Sequence, residues 1–502
     1  SEQEEQIRIT VTIDKFLDGG HIWLDAFTAS HELTVADVRF LATSERETRK
    51  TSIVICTFNR PTDCLATIAT LADDPTALDL LDHIYVVDQG NDKVEAQDGY
   101  AAVAESLGDK LVMVHQRNLG GAGGFTRGLF EITGAAEGAH TNVLFMDDDI
   151  RLEPETVVRM IAFEQHAITP TIIGGQMLYL YHPTHLHTQA ETADLGRLRA
   201  GLPADETAHN VDLTKKLPHA RSDAGYNAWW SCLIPAETVE KIGYPLPYFF
   251  QWDDIEYGLR AGRHGIPTVT LPGAGVWHAD FSLKDWDDWS RYFSLRNSLV
   301  TAALHSDAVP SGAVTALGRQ LANYLVSYSY GMAATLIKAV EDFLAGPSVL
   351  EDGGERALKE IIAIRKNYPD TFRRSAQDLA DAGFGNLPLA KLEGVPSAPG
   401  AVLAKRTAYQ LMGKTRDAAA ITAGDAQWWH TSLYRTVVVT DASQDAFRIK
   451  VRNGAEARAL SRDGARVLLR LRREGAEAAN KWREALPELT SRENWARLYE
   501  QD

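Results

Sequence analysis

The apolar run Val143-Leu-Phe-Met146 ends at three consecutive carboxylates, Asp147, Asp148 and Asp149. Such a run is typical of a strand buried on both faces, because no position in it is polar. Side chains on an extended segment alternate between faces, so we expect Asp147 and Asp149 to point the same way. Two carboxylates at one place repel each other unless a cation lies between them, and oxygen ligands suit Mg²⁺ or Mn²⁺. The alternative interpretation is an acidic turn after a strand.

Apolar segments alternate with amphipathic ones between residues 51 and 149. The expected strands are 52–57, 84–88, 110–115 and 142–146, and the expected helices are 61–72, 94–107 and 125–135. This alternation is typical of a parallel, doubly wound sheet. Ligands of such sheets bind outside the carboxyl ends of the strands. The sequence therefore predicts an α/β fold with its site at that edge.

Three regions are expected along the chain, at residues 1–48, 49–305 and 306–502. Residues 7–13 alternate with period two, which predicts a small β element in the first region. After residue 305 the pattern becomes mostly helical. The expected helices there are 313–344, 355–365, 455–473, 477–484 and 493–500, with a loop or linker at 388–400.

The composition is that of an ordinary globular protein, with 502 residues, 45% hydrophobic and 24% charged. A formal net charge of −17 argues against a nucleic-acid partner. The three cysteines lack the paired spacing of a metal site and are too few for a disulfide framework, which favours a reducing cytoplasm. We find no apolar run long enough for a transmembrane helix and no secretory signal, which leaves peripheral membrane contact open.

Polar side chains follow several expected strands. Arg60, Gln89 and Asn118 each lie just beyond one, and an arginine with two amides could bind a uracil, a ribose or a pyrophosphate. The glycine-rich segment 118–124 opens a helix, where backbone amides favour phosphate. A tight turn would explain the glycines equally well, and surface turns would explain the three polar residues. Together with the aspartates, they predict a diphosphate site.

A second acidic cluster comprises Asp253, Asp254 and Glu256, between an apolar stretch and a helical pattern. A carboxylate among aromatic residues has a raised pKa and can act as a general base towards a sugar hydroxyl. Helix N-capping by the two aspartates is the alternative.

Three further residues are candidate site residues. His278 follows a strand and turn, and a neutral imidazole is a good additional ligand for Mn²⁺ held by carboxylates, although it could simply pack beside Trp277. Trp229 and Trp230 could present a flat face to a sugar ring or anchor the core, one in each way if the segment is extended. Together, the two acidic clusters and these residues predict metal-assisted transfer to a polyhydroxyl acceptor.

These motifs resemble the inverting GT-A glycosyltransferases of family 2. The resemblance is closest to the polymerising galactofuranosyltransferases of mycobacterial cell-wall galactan synthesis, and it covers most of residues 51–502. The matching segments are 57–61, 88–90, 118–124, 145–154, 174–177, 185–187, 229–230, 252–254, 257–261, 268–274, 277–278, 295–297, 342–347 and 489–492.

The resemblance implies a Rossmann-like GT-A domain between a shortened N-terminal β-sandwich and a C-terminal helical region. The implied ligands of Mn²⁺ (or Mg²⁺) are Asp147, Asp149 and His278. The implied contacts to UDP are Arg60, Gln89, Asn118, Asp147 and Asp148. The implied catalytic residues are the base Asp254 and its neighbour Asp253, and the implied acceptor-site residues are Asp253, Trp229 and Trp230.

The same resemblance implies UDP-galactofuranose as donor and a polyprenyl-diphosphate-linked galactan as acceptor. It also implies alternating β-(1→5) and β-(1→6) linkages and a homotetramer bound peripherally to the cytoplasmic face of the plasma membrane. Phe281 replaces a family tryptophan, Ser294 replaces a histidine, and residues 192–222 differ, so the linkage pattern and acceptor stay open. The alternatives are a GT-A transferase for another nucleotide sugar and a non-catalytic glycan-binding protein.

Overall fold

The computed structural model describes residues 5–13, 22–29, 32–43, 49–135, 140–204, 207–216, 222–281, 284–306, 309–384, 387–390, 394–441 and 446–500. The strands are β1 Thr51–Thr57, β2 Leu81–Asp88, β3 Leu111–His115, β4 Asn142–Asp147, β5 Arg151–Leu152, β6 Ile172–Tyr179, β7 His182–Thr188, β8 Glu191–Asp194, β9 Arg199–Pro203, β10 His209–Asp212, β11 Ser222–Ala224, β12 Ser231–Ile234, β13 Thr268–His278, β14 Arg416–Ile421, β15 Tyr434–Thr440 and β16 Phe447–Val451.

The α-helices follow the same chain order. They are α1 Pro61–Ala72, α2 Pro75–Leu80, α3 Tyr100–Leu107, α4 Gly120–Gly134, α5 Glu155–His166, α6 Glu237–Ile242, α7 Asp253–Arg263, α8 Ser290–His305, α9 Ser311–Val326, α10 Tyr330–Ala345, α11 Glu355–Arg365, α12 Ala376–Asp381, α13 Pro399–Leu411, α14 Trp428–Thr431, α15 Gly454–Leu489 and α16 Arg492–Tyr499.

One large sheet confirms the α/β fold that the sequence predicts. Its strands run in the order β10-β7-β6-β12-β4-β1-β2-β3, and β13 pairs with β5, β6 and β11. The pairs β1–β2, β1–β4 and β2–β3 are parallel, which confirms the predicted doubly wound half. Strand β12 is antiparallel to both β4 and β6, so the sheet is mixed beyond β4.

Strand β1 is an apolar run because both of its faces are buried. All seven of its residues are buried. Ile53 and Ile55 pack into a cluster with Ile68 of α1, whereas Val54 packs with Leu129 of α4 on the other face. Alternation along the strand thus feeds two cores, which is the arrangement expected when helices cover both faces of a sheet.

The N-terminal β element is a prediction that the structure corrects. In the described ranges 5–13, 22–29 and 32–43 there is no strand or helix. Ile7, Ile9, Val11 and Ile13 are all at least 55% exposed. Their period-two pattern has no neighbouring strand to pair with among the described residues, and unpaired strands are not stable.

The C-terminal region is mainly helical, as predicted, but contains a small sheet that the sequence did not reveal. Helices α9, α10 and α15 pack together with α8. Strands β14, β15 and β16 form a separate three-stranded sheet. The helix expected at 313–344 is two helices, α9 and α10, while those expected at 455–473 and 477–484 are the single helix α15.

The two larger regions share one hydrophobic core. Tyr248, Tyr292 and Phe293 from the sheet-bearing part are in the same buried cluster as Val340 and Trp482 from the helical part. None of the helices in the described ranges combines the length and the apolar character that crossing a bilayer requires.

Candidate active site

Asp147, Asp149 and His278 meet at the carboxyl edge of the sheet. One ligand atom of each lies within 4.8 Å of the others. His278 Nε2 is 3.4 Å from Asp149 Oδ1. His278 Nδ1 is 2.7 Å from the carbonyl of Ala279, which can only accept, so Nδ1 carries a proton and Nε2 is the ring nitrogen that faces the carboxylates.

Backbone pairing explains how residues distant in sequence converge. Asp147 ends β4, and the chain then turns into the two-residue strand β5. In β5, Arg151 and Leu152 pair with Trp277 and Val276 near the end of β13. This short antiparallel pair brings the Asp149 turn against His278.

The three side chains fit a divalent cation. Asp149 Oδ1 is buried and has no hydrogen-bond partner among the described residues. Burial and the charge of Asp149 raise the pKa of Asp147 above its ordinary value. Two carboxylates and a neutral imidazole form an oxygen and nitrogen donor set suited to Mn²⁺ or Mg²⁺.

Arg60 and Asp148 also lie at this edge of the sheet. The Arg60 guanidinium binds Asp149 through Nη1, and its Nε donates to Asp63 Oδ2 at 3.0 Å. Its side chain remains 46% exposed, on the open side of the site. Asp148 is buried, and burial together with the charge of Asp147 raises its pKa well above the usual range. Contacts of Arg60 and Asp148 with UDP remain predictions.

Gln89 is buried, and its amide is fully engaged. Its Nε2 donates to Cys56 Sγ at 3.2 Å and to the carbonyl of Gly120 at 3.0 Å. Its Oε1 accepts from Gln116 Nε2 at 2.9 Å and from the backbone N–H of Leu119 at 2.8 Å. Both hydrogens and both lone pairs are in use, so Gln89 fixes the start of α4. A direct contact with UDP would have to replace one of these bonds and stays a prediction.

The glycine-rich segment is the beginning of a helix and not a separate turn. Helix α4 begins at Gly120, five residues before the predicted start at Phe125. Gly120 has a φ of +70°, and a Cβ there would lie 1.8 Å from the carbonyl oxygen of Phe249. Asn118 Oδ1 accepts from the N–H of Gly120 at 2.8 Å, so this side chain orders the first turn. Its predicted contact with UDP is untested.

The second acidic cluster faces the start of α4. A Cβ on Gly121 would lie 3.9 Å from Asp253 Oδ2. Asp253 and Asp254 are the first two residues of α7, after the cap residue Trp252, whose side chain makes no capping bond. The N-capping alternative is therefore not what the structure shows, although Asp254 Oδ1 does accept from the N–H of Ile255 at 2.8 Å.

Three acidic groups with raised pKa values lie near the start of α7. Burial raises the pKa of Asp253 to about 6, and the charge of Asp147 adds to the effect. Burial, then the charges of Asp253 and Glu191, raise the pKa of Asp254 well above its usual range. Burial also raises the pKa of Glu191 to about 7, against a hydrogen bond from Tyr226. Sequence reasoning missed Glu191, because it stands alone between apolar and small residues and belongs to no acidic motif.

The structure places both adjacent tryptophans in the core. Trp229 packs against Phe125 and Phe145, with ring centroids 5.4 and 4.8 Å away. Trp230 donates its indole N–H to the carbonyl of Gly175 at 2.9 Å. They are 6% and 8% exposed, which agrees with the core-anchor alternative for both. Their role in acceptor binding remains a prediction.

A cleft of about 350 Å³ lies next to the candidate cation site. Its lining residues are Tyr179, His182, His185, Asn210, Asp280 and Phe281. The ring of Phe281 lies 5.5 Å from that of His278, so the cleft and the cation site share a wall. Asp280 Oδ2 is 3.1 Å from His182 Nδ1, and Asp280 Oδ1 is buried with no partner among the described residues.

Comparison with known proteins supports a glycosyltransferase. A family model described as "Glycosyltransferase like family 2" matches residues 48–302, and one described as "Galactofuranosyltransferase-2, domain 3" matches residues 314–501. The chain is 36% identical to galactofuranosyltransferase GlfT2 of Mycolicibacterium smegmatis, covering 97% of this chain and 78% of that protein. It is 35% identical to GlfT2 of Mycobacterium tuberculosis, covering 98% and 80%.

Among solved structures, GalNAc-T7 with UDP, GalNAc and Mn²⁺ aligns with a TM-score of 0.39 and 13% identity, covering 52% of this chain and 48% of that one.

Proposed function

Because the chain belongs to the GlfT2 galactofuranosyltransferase family, we propose that it is an inverting, metal-dependent enzyme that transfers galactofuranose from UDP-galactofuranose to a hydroxyl of a lipid-linked galactan. The single observation that supports the chemistry best is the convergence of two acidic sites. Asp147 and Asp149 meet His278, and Asp253 is close enough to Asp147 for their charges to interact.

In this proposal, one group of residues binds the metal and the diphosphate, and another group binds and activates the acceptor. Asp147, Asp149 and His278 hold Mn²⁺ or Mg²⁺, which when bound neutralises charge on the diphosphate. Arg60, which binds Asp149, lies on the same side, and its guanidinium favours phosphate.

The acceptor side centres on Asp254. Its carboxylate accepts the proton of an acceptor hydroxyl while that oxygen bonds to the anomeric carbon and the bond from that carbon to the oxygen of UDP breaks. A raised pKa makes Asp254 a stronger base than an exposed carboxylate. A base opposite the leaving group gives a single displacement, and hence inversion.

The name of the relatives and the cleft beside His278 support a glycan acceptor. On the family resemblance alone, we propose that the acceptor is the polyprenyl-diphosphate-linked galactan and that the linkages alternate between β-(1→5) and β-(1→6). On the same basis, we propose a homotetramer bound peripherally to the cytoplasmic face of the plasma membrane. Phe281, which stands where the family has a tryptophan, lines this cleft and is where acceptor preference would differ.

The test is transfer by variants of the two acidic clusters. Asp149→Ala and Asp254→Ala should each keep the circular dichroism spectrum of the parent and lose sugar transfer from UDP-galactofuranose to a lipid-linked galactofuranosyl primer, measured by mass spectrometry of the products. The exposed Asp98→Ala is the matched control and should remain active. Full activity of Asp254→Ala would remove that residue as base, and turnover undiminished by excess chelator would remove the metal. A parallel panel of UDP- and dTDP-sugars tests the donor.

A further inference from the structure

The loop before α7 has an unfavourable backbone conformation. Phe249, Gln251 and Trp252 have φ angles of +71°, +61° and +70°. Non-glycine residues rarely adopt this left-handed region, and three within four positions persist only where the surroundings impose them. Asp253 follows directly, so the direction in which α7 starts, and with it the direction of both acidic side chains, depends on this loop.

A buried asparagine on α8 binds the carbonyl groups of that loop. Asn297 Nδ2 lies 3.2 Å from the oxygen of Tyr248, 3.0 Å from that of Phe250 and 2.8 Å from that of Gln251. Its two hydrogens are shared among these three acceptors. The side chain is completely buried, so water cannot replace it. Without it, the carbonyl groups of Phe250 and Gln251 would lose this partner, which is unfavourable because both are partly shielded from water.

Arg296 fixes which end of the amide faces the loop. Its Nε donates to Asn297 Oδ1 at 2.9 Å, which leaves only the NH₂ end for the loop carbonyls. Its Nη2 donates to the oxygen of Tyr248 at 2.8 Å. The guanidinium lies 5.3 Å from the ring centre of Tyr292 and 5.0 Å from that of Phe293, so it too is held on several sides.

The contacts continue into the C-terminal helices. Tyr292 donates its hydroxyl to Asp342 Oδ2 of α10 at 2.5 Å, and Asp342 Oδ1 accepts from Lys338 Nζ at 2.9 Å. The residues 295–297 and 342–347, both part of the family resemblance, thus meet in one buried network. None of them belongs to the proposed metal, donor or base set.

We propose that Asn297, oriented by Arg296, is a positioning residue that holds the loop 248–252 in its strained conformation and thereby aims Asp253 and Asp254 at the acceptor. The inference rests on the proposed function, because it assumes that Asp254 is the base and must point at the acceptor. Loss of the contact would misdirect the carboxylates without removing any group that touches a substrate.

The test separates turnover from binding. Asn297→Ala should lower kcat by roughly 10- to 100-fold, the effect of a small misplacement of a catalytic group. The KM for the donor and the affinity for UDP with Mn²⁺ should stay within about twofold of the parent, because the donor side is untouched. Ser298→Ala is the matched control: Ser298 is equally buried, on the same helix, and its hydroxyl donates only to the carbonyl of Leu295. It should keep the kcat of the parent.

Arg296→Lys provides a milder second variant. It keeps a positive charge near Tyr248 but loses the bond that orients Asn297, so kcat should fall less than in Asn297→Ala. A folded Asn297→Ala with unchanged kcat would overturn the proposal. So would loss of kcat and UDP affinity together, or failure of both variants to fold, since either shows a structural role only. Asp254→Asn, assayed in parallel, distinguishes the two hypotheses: if it stays active, the proposed function fails, whatever Asn297 does.

Discussion

Three buried carboxyl groups with raised pKa values, those of Asp253, Asp254 and Glu191, lie close together around the proposed base. Asp253 and Glu191 both raise the pKa of Asp254 by their charge, and burial raises all three. A buried group of this kind is protonated at pH values where an exposed aspartate is fully charged. Only the unprotonated form can accept a proton from a hydroxyl. Activity should therefore fall with decreasing pH well above the ordinary pKa of an aspartate.

Asp253→Asn should move that acidic limb to lower pH. Removing the negative charge of Asp253 removes one cause of the raised pKa of Asp254, so the base loses its proton at a lower pH. The measurement is the pH profile of kcat at saturating donor, Mn²⁺ and acceptor. Since Asp253 is also proposed to hold the acceptor, the maximum rate should fall as well. A limb that stays in place, or moves to higher pH, would contradict the assignment of Asp254.

At the residue scale, the sequence indicated those candidate site residues that follow a recognisable local pattern. Asp147 and Asp149 follow from the strand that precedes them, and His278 from its position after a strand and turn. Glu191 follows no such pattern, because its surroundings arise only where the chain brings Tyr226 and Asp254 beside it. The engaged amide of Gln89, likewise, depends on partners from three other segments.

At the element scale, α7 is stabilised by a buried ion pair just beyond the two aspartates at its start. Glu256 Oε2 is 2.9 Å from Arg260 Nη2, and His305 Nε2 is 3.1 Å from Glu256 Oε1. Burial alone would raise the pKa of Glu256, but Arg260 and His305 outweigh it and lower the pKa to about 2. The folded-state pKa lies below the unfolded one, so this stabilisation is complete above about pH 4.5 and is lost only as the pH falls towards 2.

Glu256→Gln should lower the free energy of unfolding at neutral pH by about 3–5 kcal/mol, because it leaves the Arg260 charge buried and unpaired. The control is Glu155→Gln, which removes an exposed pair of the same spacing with Arg159 and should cost about 0.5 kcal/mol or less. Urea unfolding followed by circular dichroism measures both. Equal effects of the two substitutions would show that the buried pair is replaceable by a neutral hydrogen bond.

Elements with a clear period were predictable, and the misses have physical reasons. Helix α11 lies where the pattern placed it, at Glu355–Arg365. The single helix expected at 313–344 breaks at Tyr328, which has a φ of +59°. Its hydroxyl donates to the carbonyl of Tyr434, a contact between distant parts of the chain that the local pattern does not reveal. Strand β14 is rich in alanine, which favours helices, and it becomes a strand only through pairing with β15.

At the scale of the whole molecule, the proposed boundary near residue 305 does not separate two cores. Helix α8, which ends there, is buried along nearly its whole length and packs against α10 and α15. In return, Trp495 of α16 donates its indole N–H to the carbonyl of Pro245, and Tyr499 donates its hydroxyl to that of Gly123 in α4. Helix α16 therefore supports α4, whose first turn faces Asp253.

A fragment of residues 49–305 should consequently fail to fold cooperatively. It would expose the apolar side chains of α8 and leave Phe130 without the ring of Tyr499, whose centre lies 5.3 Å from its own. Exposed area of this kind costs about 25 cal/mol per Å², enough to remove the few kcal/mol by which a domain is stable. We expect the fragment to bind a hydrophobic dye and lack a sharp thermal transition, whereas the 502-residue chain unfolds cooperatively. A fragment that melts sharply and binds UDP with Mn²⁺ would instead establish residues 49–305 as an independent domain.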